Sequence, residues 1–292
     1  MRTIDEVFSQ KPQSTLYHYT GIGSLMGIID SKVLWASHIY YLNDAAEIVF
    51  ACRLLQDIVK KRASNGLPAE EKDFLDQFHS WLDNFITTAY HIFVFSLSEE
   101  GNLLSQWRSY SPHGKGVSIG FSPAFLLHKV QEQNLRIAKC LYERGEQEAL
   151  MSDLLDRMLL TFSRERDLID TTKFHPSQKY FSYMEKFRGD ILQVFALIKH
   201  PSFKEECEWR IISQYYPKYT VPEIKFREGA SMLVPYTEIK IGNTNSSELL
   251  FQRIILGPTQ HNNLSMSALS SYLSNKKVCN ETASSAIPYR EW

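Results

Sequence analysis

The chain predicts an α+β fold, with mixed or antiparallel sheets flanked by clustered helices. Short apolar runs bounded by turn residues mark strands at 15–19, 33–37, 91–97, 116–121, 208–213, 231–238 and 253–257. The helical segments between them are clustered and unequal, and the last three strands come with little helix between them, which disfavours a doubly wound parallel sheet. No Gly-x-Gly-x-x-Gly opens a helix and no P-loop is present, so no Rossmann domain is indicated.

Composition narrows the function classes. The 292 residues are 43% hydrophobic and include 17 Phe and 15 Tyr, ample material for a core. A net charge of −1 removes any general electrostatic drive towards nucleic acid. Cys52, Cys140, Cys207 and Cys279 lie far apart with no Cys-x-x-Cys pair, and read as free thiols in a reducing compartment. The histidines form no His-x-x-x-His or His-Glu-x-x-His pattern, so no metal site is expected. With no apolar leader at the start and no run near the ~20 apolar residues of a membrane span, the expectation is a soluble, cytoplasmic protein without a membrane partner. No Pro/Gly/Ser-rich linker divides the chain. One domain is expected over 1–292, with a largely helical insertion or cap around 122–205.

The first strand, Leu16-Tyr17-His18-Tyr19-Thr20-Gly21, puts His18 and Thr20 on one face and Tyr17 and Tyr19 on the other. A histidine near a strand end, beside a hydroxyl and a turn, is placed to donate hydrogen bonds to a ribose or a carboxamide. The plainer reading is a ring satisfied by nearby backbone. A short helix follows, with Leu25, Met26, Ile28 and Ile29 apolar, and then the strand Val33 to Ser37. In Tyr41 to Glu47, Asn43 or Asp44 serves as helix N-cap with Glu47 in or near the first turn. Apolar stripes then predict helices over 44–62 and 69–87.

In the third strand Ser96 and Ser98 face the same way from an apolar run. A buried hydroxyl pair needs partners, either another strand or a catalytic glutamate. Without a Gly-x-Ser-x-Gly elbow, a hydrolase triad on these serines is not expected. Trp107 and Tyr110 are spaced as one helix face. Stripes of Leu, Met and Phe predict core-facing helices over 145–168 and 181–199.

The run Glu206-Cys207-Glu208-Trp209-Arg210 leads into Ile211-Ile212 and reads as a strand. Alternation would place Glu206, Glu208 and Arg210 on one face, and Cys207, Trp209 and Ile211 on the other. Two neighbouring carboxylates repel, and Arg210 is the natural compensation. A solvated face carrying an exposed ion pair explains the same pattern.

Taken in order, Tyr17-His18-Tyr19, Trp35-Ala36-Ser37, Leu42-Asn43-Asp44, Ser96-Leu97-Ser98-Glu99, Gln106 to Tyr110, Gly116 to Phe121 and Glu206 to Arg210 resemble a bacterial family known only as domain of unknown function 2971. That resemblance spans about residues 15–260. More distantly, Leu16 to Thr20, Leu25, Ile28-Ile29 and Lys32 to Leu34 resemble the opening of ADP-ribosyltransferases. In that superfamily a first-strand His or Arg contacts NAD, a Ser-x-Ser strand supports the site and a late Glu is catalytic. His18, Ser96 with Ser98, and Glu206 with Glu208 occur here in that order, without a Ser-Thr-Ser motif.

This second resemblance implies an ADP-ribosyltransferase-like core and NAD as substrate. It implies transfer of ADP-ribose to an unknown acceptor, protein or nucleic acid, or to water, in a setting such as a toxin or phage-defence effector. Glu208 is assigned the ribose carboxylate and Glu206 the group that orients or deprotonates the acceptor. His18 with Thr20 is expected to hold ribose or amide, Tyr19 or Tyr110 to stack on nicotinamide, and Arg210 to neutralise the carboxylates or contact pyrophosphate. Two other readings stand beside it. One is a non-catalytic binding or immunity module with Glu206–Arg210 as a structural network. The other is a metal-dependent nuclease using Asp44, Glu47, Glu206 and Glu208, with Lys204 turned inward.

Overall fold

The computed structural model describes residues 3–42, 46–87, 91–111, 116–172, 174–229, 231–243 and 249–288. The expected caps Asn43 and Asp44 lie outside the described residues. Strands are β1 (Leu16–Gly21), β2 (Val33–His38), β3 (Phe93–Ser98), β4 (Gly116–Phe121), β5 (Arg136–Lys139), β6 (Glu208–Ile212), β7 (Lys225–Glu228), β8 (Leu233–Lys240), β9 (Phe251–Leu256) and β10 (Cys279–Ser284). Helices are α1 (Ile4–Ser9), α2 (Ile22–Ser31), α3 (Ala46–Ala63), α4 (Ala69–Thr87), α5 (Leu104–Tyr110), α6 (Pro123–Glu132), α7 (Arg144–Glu165), α8 (Phe181–Met184), α9 (Arg188–Phe195) and α10 (Asn262–Lys276). The protein is α+β, as its strand and helix pattern predicts.

The ten strands form one mixed, mostly antiparallel sheet in the order β10-β9-β4-β1-β3-β2-β8-β7, with β6 and β5 branching from the other edge of β3. Only β9 and β10 pair in parallel among these strands. The seven strands expected from sequence are present within about two residues. The short β5, β7 and β10 lack an apolar run: β7 is Lys-Phe-Arg-Glu, and its pairing to β8 supplies the order that its side chains do not.

Two apolar layers cover the sheet. One face packs Val94 and Ile212 against Leu55, Phe78, Leu154 and Ile191 from α3, α4, α7 and α9. Phe95, Trp209 and Ile211 belong to the other layer, with Leu25 and Ile29 of α2. The helices of 122–205 thus share a core with α3 and α4, and the same region contributes β5 to the sheet.

The single helix expected over 181–199 is broken. α8 ends at Met184, a 3₁₀ turn spans Glu185–Phe187, and α9 ends at Phe195. Residues 197–199 then run beside Leu141, whose N–H donates to the Leu197 carbonyl at 2.7 Å while Lys199 N–H donates to the Leu141 carbonyl at 3.1 Å. Continued helix would have carried Lys199 elsewhere. The extended segment delivers it to β6.

Candidate functional site

β3 is where the sheet opens. On one of its edges β1 pairs only at Tyr17↔Ser98, and β2 only at Ser37↔Val94 and His38↔Phe93. The two strands diverge, leaving Phe95 to Leu97 without a strand on that side. His18 fills the gap: its ring stacks on Phe95 with centroids 4.3 Å apart, and Nδ1 lies 3.0 Å from the Ser96 carbonyl oxygen. A carbonyl only accepts, so Nδ1 carries the proton and Nε2 is left as an acceptor. Burial lowers the His18 pKa against the opposing effect of the Ser96 hydrogen bond, so the ring is neutral at pH 7. The sequence predicted a donor to ribose or amide. The structure makes the free nitrogen an acceptor, because the N–H is already engaged.

Two cavities meet at His18. A narrow one, about 60 Å³, is lined by Tyr17, Ser98, Gln106, Tyr110, Glu206 and Glu208, and also touches Tyr19 and Ser96. A larger one, about 610 Å³, lies between α2, β1 and β2 and includes Thr20. The expected site residues are therefore divided between two cavities, with His18 common to both.

The charged floor of the narrow pocket comes from three segments. In register across β3 and β6, Ser98 faces Glu208 and Ser96 faces Arg210, so these four side chains share the face that meets the helical layer. Glu208 is 5% exposed and Arg210 2%. Arg210 donates from Nε to Glu208 Oε1 at 2.8 Å, from Nη2 to Oε2 at 3.2 Å, and from Nη1 to the Ala196 carbonyl at 2.8 Å. Lys199 Nζ donates to Glu208 Oε2 at 2.6 Å and to Glu206 Oε2 at 2.5 Å. Glu47, at the start of α3, meets Arg210 Nη2 at 2.8 Å and Lys199 Nζ at 3.3 Å as ion-pair contacts without hydrogen-bond alignment. Three carboxylates thus surround two cations.

The pKa shifts follow from that arrangement. Burial by itself would raise Glu208, but Arg210 and Lys199 outweigh it and hold the carboxyl at about 2. At Glu47 burial prevails over the same two cations and its pKa is raised. Lys199 is raised although burial opposes it, chiefly by Glu208. A carboxylate with the character of Glu208 is a poor proton acceptor at neutral pH and a fixed negative charge, suited to stabilising a developing cation.

Several expectations need correction. Glu206 does not precede Glu208 on the strand: it closes a 3₁₀ turn (Pro201–Glu206), and Cys207 takes the left-handed conformation at φ 44°. Cys207 is half-buried and lies before β6, outside the strand alternation that would pair it with Trp209. Arg210 is not free to meet a pyrophosphate, because its guanidinium is wholly committed to Glu208, Glu47 and Ala196. Tyr19 is fixed by its hydroxyl, which donates to the Glu100 carbonyl at 2.6 Å and accepts from Leu103 N–H at 2.9 Å, and its ring packs edgewise on Trp107. That leaves Tyr110, 39% exposed on α5, as the aromatic at the mouth. Lys204 points outward to Glu143.

Of the two serines, Ser98 supports a glutamate, by a backbone route, while Ser96 offers its carbonyl to His18. Ser98 Oγ donates to the Glu206 carbonyl at 2.7 Å and accepts from Glu100 N–H at 3.0 Å. Lys199 went unnoticed in the sequence. Its signal is a lysine directly after Val194-Phe195-Ala196-Leu197-Ile198, an apolar run that implies burial and hence a carboxylate partner. Among the described residues no group of three or more His, Cys, Asp and Glu is placed to hold a metal ion. No helix of the described residues is long and apolar enough to cross a membrane.

These features define an α+β protein with a cleft where its sheet divides and a buried carboxylate network at the cleft floor. Residues 106–211, a little over a third of the chain running from α5 into β6, match the family described as "Protein of unknown function (DUF2971)". The match includes Glu206, Glu208, Arg210 and Lys199 and stops short of β1 with His18. No curated protein and no solved structure matches the chain.

Proposed function

We propose that the cleft is the active site of an NAD-consuming enzyme that cleaves the nicotinamide–ribose bond and passes ADP-ribose to an acceptor, protein, nucleic acid or water. One observation carries this reading: Glu208, held ionised by Lys199 and Arg210, lines a narrow pocket that opens beside His18. Cleavage of a glycosidic C–N bond passes through an oxocarbenium-like state. A fixed carboxylate beside the ribose stabilises that charge as it forms, without having to move or to give up a proton. Nicotinamide leaves as a neutral base, so its departure needs no general acid.

Glu206 is the more exposed carboxylate, its side chain 19% accessible, and it faces the acceptor. The bare Nε2 of His18 accepts a hydrogen bond from a ribose hydroxyl or from the carboxamide N–H. Tyr110 covers the nicotinamide ring. The order of His, Ser-x-Ser and Glu along the sequence supports the same assignment.

The test is nicotinamide release from NAD by the purified protein and by Glu208→Gln. A loss of about 100-fold or more is expected, the usual scale for removing one stabilising group. Release at an undiminished rate by the variant would refute the assignment. A second reading, a non-catalytic binding or immunity module, is favoured by the saturation of both Glu208 oxygens. It requires that neither form releases nicotinamide and that Glu208→Gln changes the melting temperature alone.

A further inference from the structure

The larger cavity has features that protein packing does not explain. Val33, Trp35 and Ser37 project into it from alternate positions of β2. Trp35 is 48% exposed, yet its ring is braced from behind by Tyr236 of the adjacent β8, with centroids 4.6 Å apart. Held in this way, the ring offers a flat apolar surface to the cavity.

Arg227 of β7 also lines the cavity, and its guanidinium is anchored at 3.3 Å from Ser37 Oγ. That contact engages one edge of the fork, and a guanidinium has five donors. Opposite, α2 presents Gly23 and Gly27, one helical turn apart, and a Cβ at either would meet nothing within 4 Å. Alanine is the better residue in a helix and would fit at both positions, so packing within the chain gives no reason for the glycines. The volume, about 610 Å³, lies within the range of small-ligand sites.

We propose that this cavity binds a purine nucleotide unit, with the base stacked on Trp35 against the glycine face of α2 and the phosphate held by Arg227. It rests on the reading above in one respect, that the cleft takes a dinucleotide whose second half must lie beyond His18. A planar base accounts for the flat aromatic and the side-chain-free helix face. A phosphate accounts for the planar fork of Arg227, suited to two-point recognition of an oxyanion. His18, common to both cavities, sits where the ribose would join them.

The experiment measures binding of adenosine 5′-monophosphate by calorimetry and by quenching of tryptophan fluorescence. It uses the full chain and the variants Trp35→Leu, Arg227→Gln and Gly27→Leu. Binding to the unaltered protein is expected, weakened at least tenfold by Trp35→Leu and by Arg227→Gln and abolished by Gly27→Leu, which fills the space. Adenosine without phosphate should be insensitive to Arg227→Gln. Circular dichroism melts identify any variant that has lost its fold, and Gly27→Ala, which adds a methyl to open space, checks that the helix tolerates a side chain there.

Two results overturn the proposal: no binding to the folded unaltered protein at millimolar concentration, or equal binding by all variants. Nicotinamide release with mononucleotide binding indifferent to Trp35 and Arg227 would defeat this site and leave the enzymatic reading standing. Binding that depends on both residues, with no nicotinamide released, would do the reverse.

Discussion

A buried carboxylate costs several kcal/mol unless charge and hydrogen bonds compensate it, and Glu208 receives three donor contacts from Arg210 and Lys199. The pH dependence of that compensation has a definite sign. The folded pKa, about 2, lies below the 4.5 of an ordinary glutamate, so Glu208 contributes stability that is complete above pH 4.5 and lost as pH falls towards 2. Glu47 runs the other way. Its folded pKa is raised, so its contribution is complete below pH 4.5 and lost as pH rises through the folded value. Thermal melts from pH 2 to 6 should therefore show a steep acid limb that flattens in Glu208→Gln, and an unchanged limb would mean that Glu208 is not held ionised. His18 has a lowered pKa, so its neutral ring favours the fold fully above pH 6.5, with loss as pH falls below that. His18→Asn should reduce the stability lost between pH 6.5 and 5.

At the scale of elements, the pairing of β3 with β6 and the turn before β6 decide how the glutamates stand. Ser98 bridges the two by holding the Glu206 carbonyl and the Glu100 N–H. Ser98→Ala should cost about 1–3 kcal/mol, the range for leaving buried polar groups unsatisfied, and should lower turnover more than it lowers NAD binding. Denaturant unfolding and steady-state kinetics separate the two effects. Gly101 offers a second handle: a Cβ there would meet the Tyr17 ring at 2.6 Å. Gly101→Ala should displace that ring, which is also close to Gly120 and packs on the Tyr19–Trp107 cluster, so it should lower stability and, on the proposed reading, raise KM for NAD. An unaltered KM would show that Tyr17 does not border the bound substrate. That Ser96 and Ser98 share a face was legible from their spacing alone. The route of support, through backbone, was not, because it depends on a turn at Cys207 that no local sequence rule demands.

Across the whole molecule Arg210 ties three parts together: Glu47 on α3, the chain just past α9 at Ala196, and Glu208 on β6. Removing one partner of such a buried network costs about 3–5 kcal/mol, because the remaining charges stay buried without compensation. Arg210→Met should therefore lower the denaturant midpoint sharply, whereas Lys204→Met, on the surface, should leave it where it is. Comparable midpoints for the two variants would contradict the buried network.

Seven of the strands named above, the α+β class and the pairing of Glu208 with Arg210 follow from the order of residues, since period, turn chemistry and alternation are local. Residues 106–211 by their sequence alone are similar to a family of unknown function. Tertiary structure decided the rest. Lys199 and Glu47 reach the site from positions 9 and 161 residues from Glu208, and the cleft exists because β1 and β2 leave β3 at different points. The run before Lys199 signals its burial, but which carboxylates surround a buried cation, and where two strands part company to leave a gap in a sheet, are properties of the folded chain.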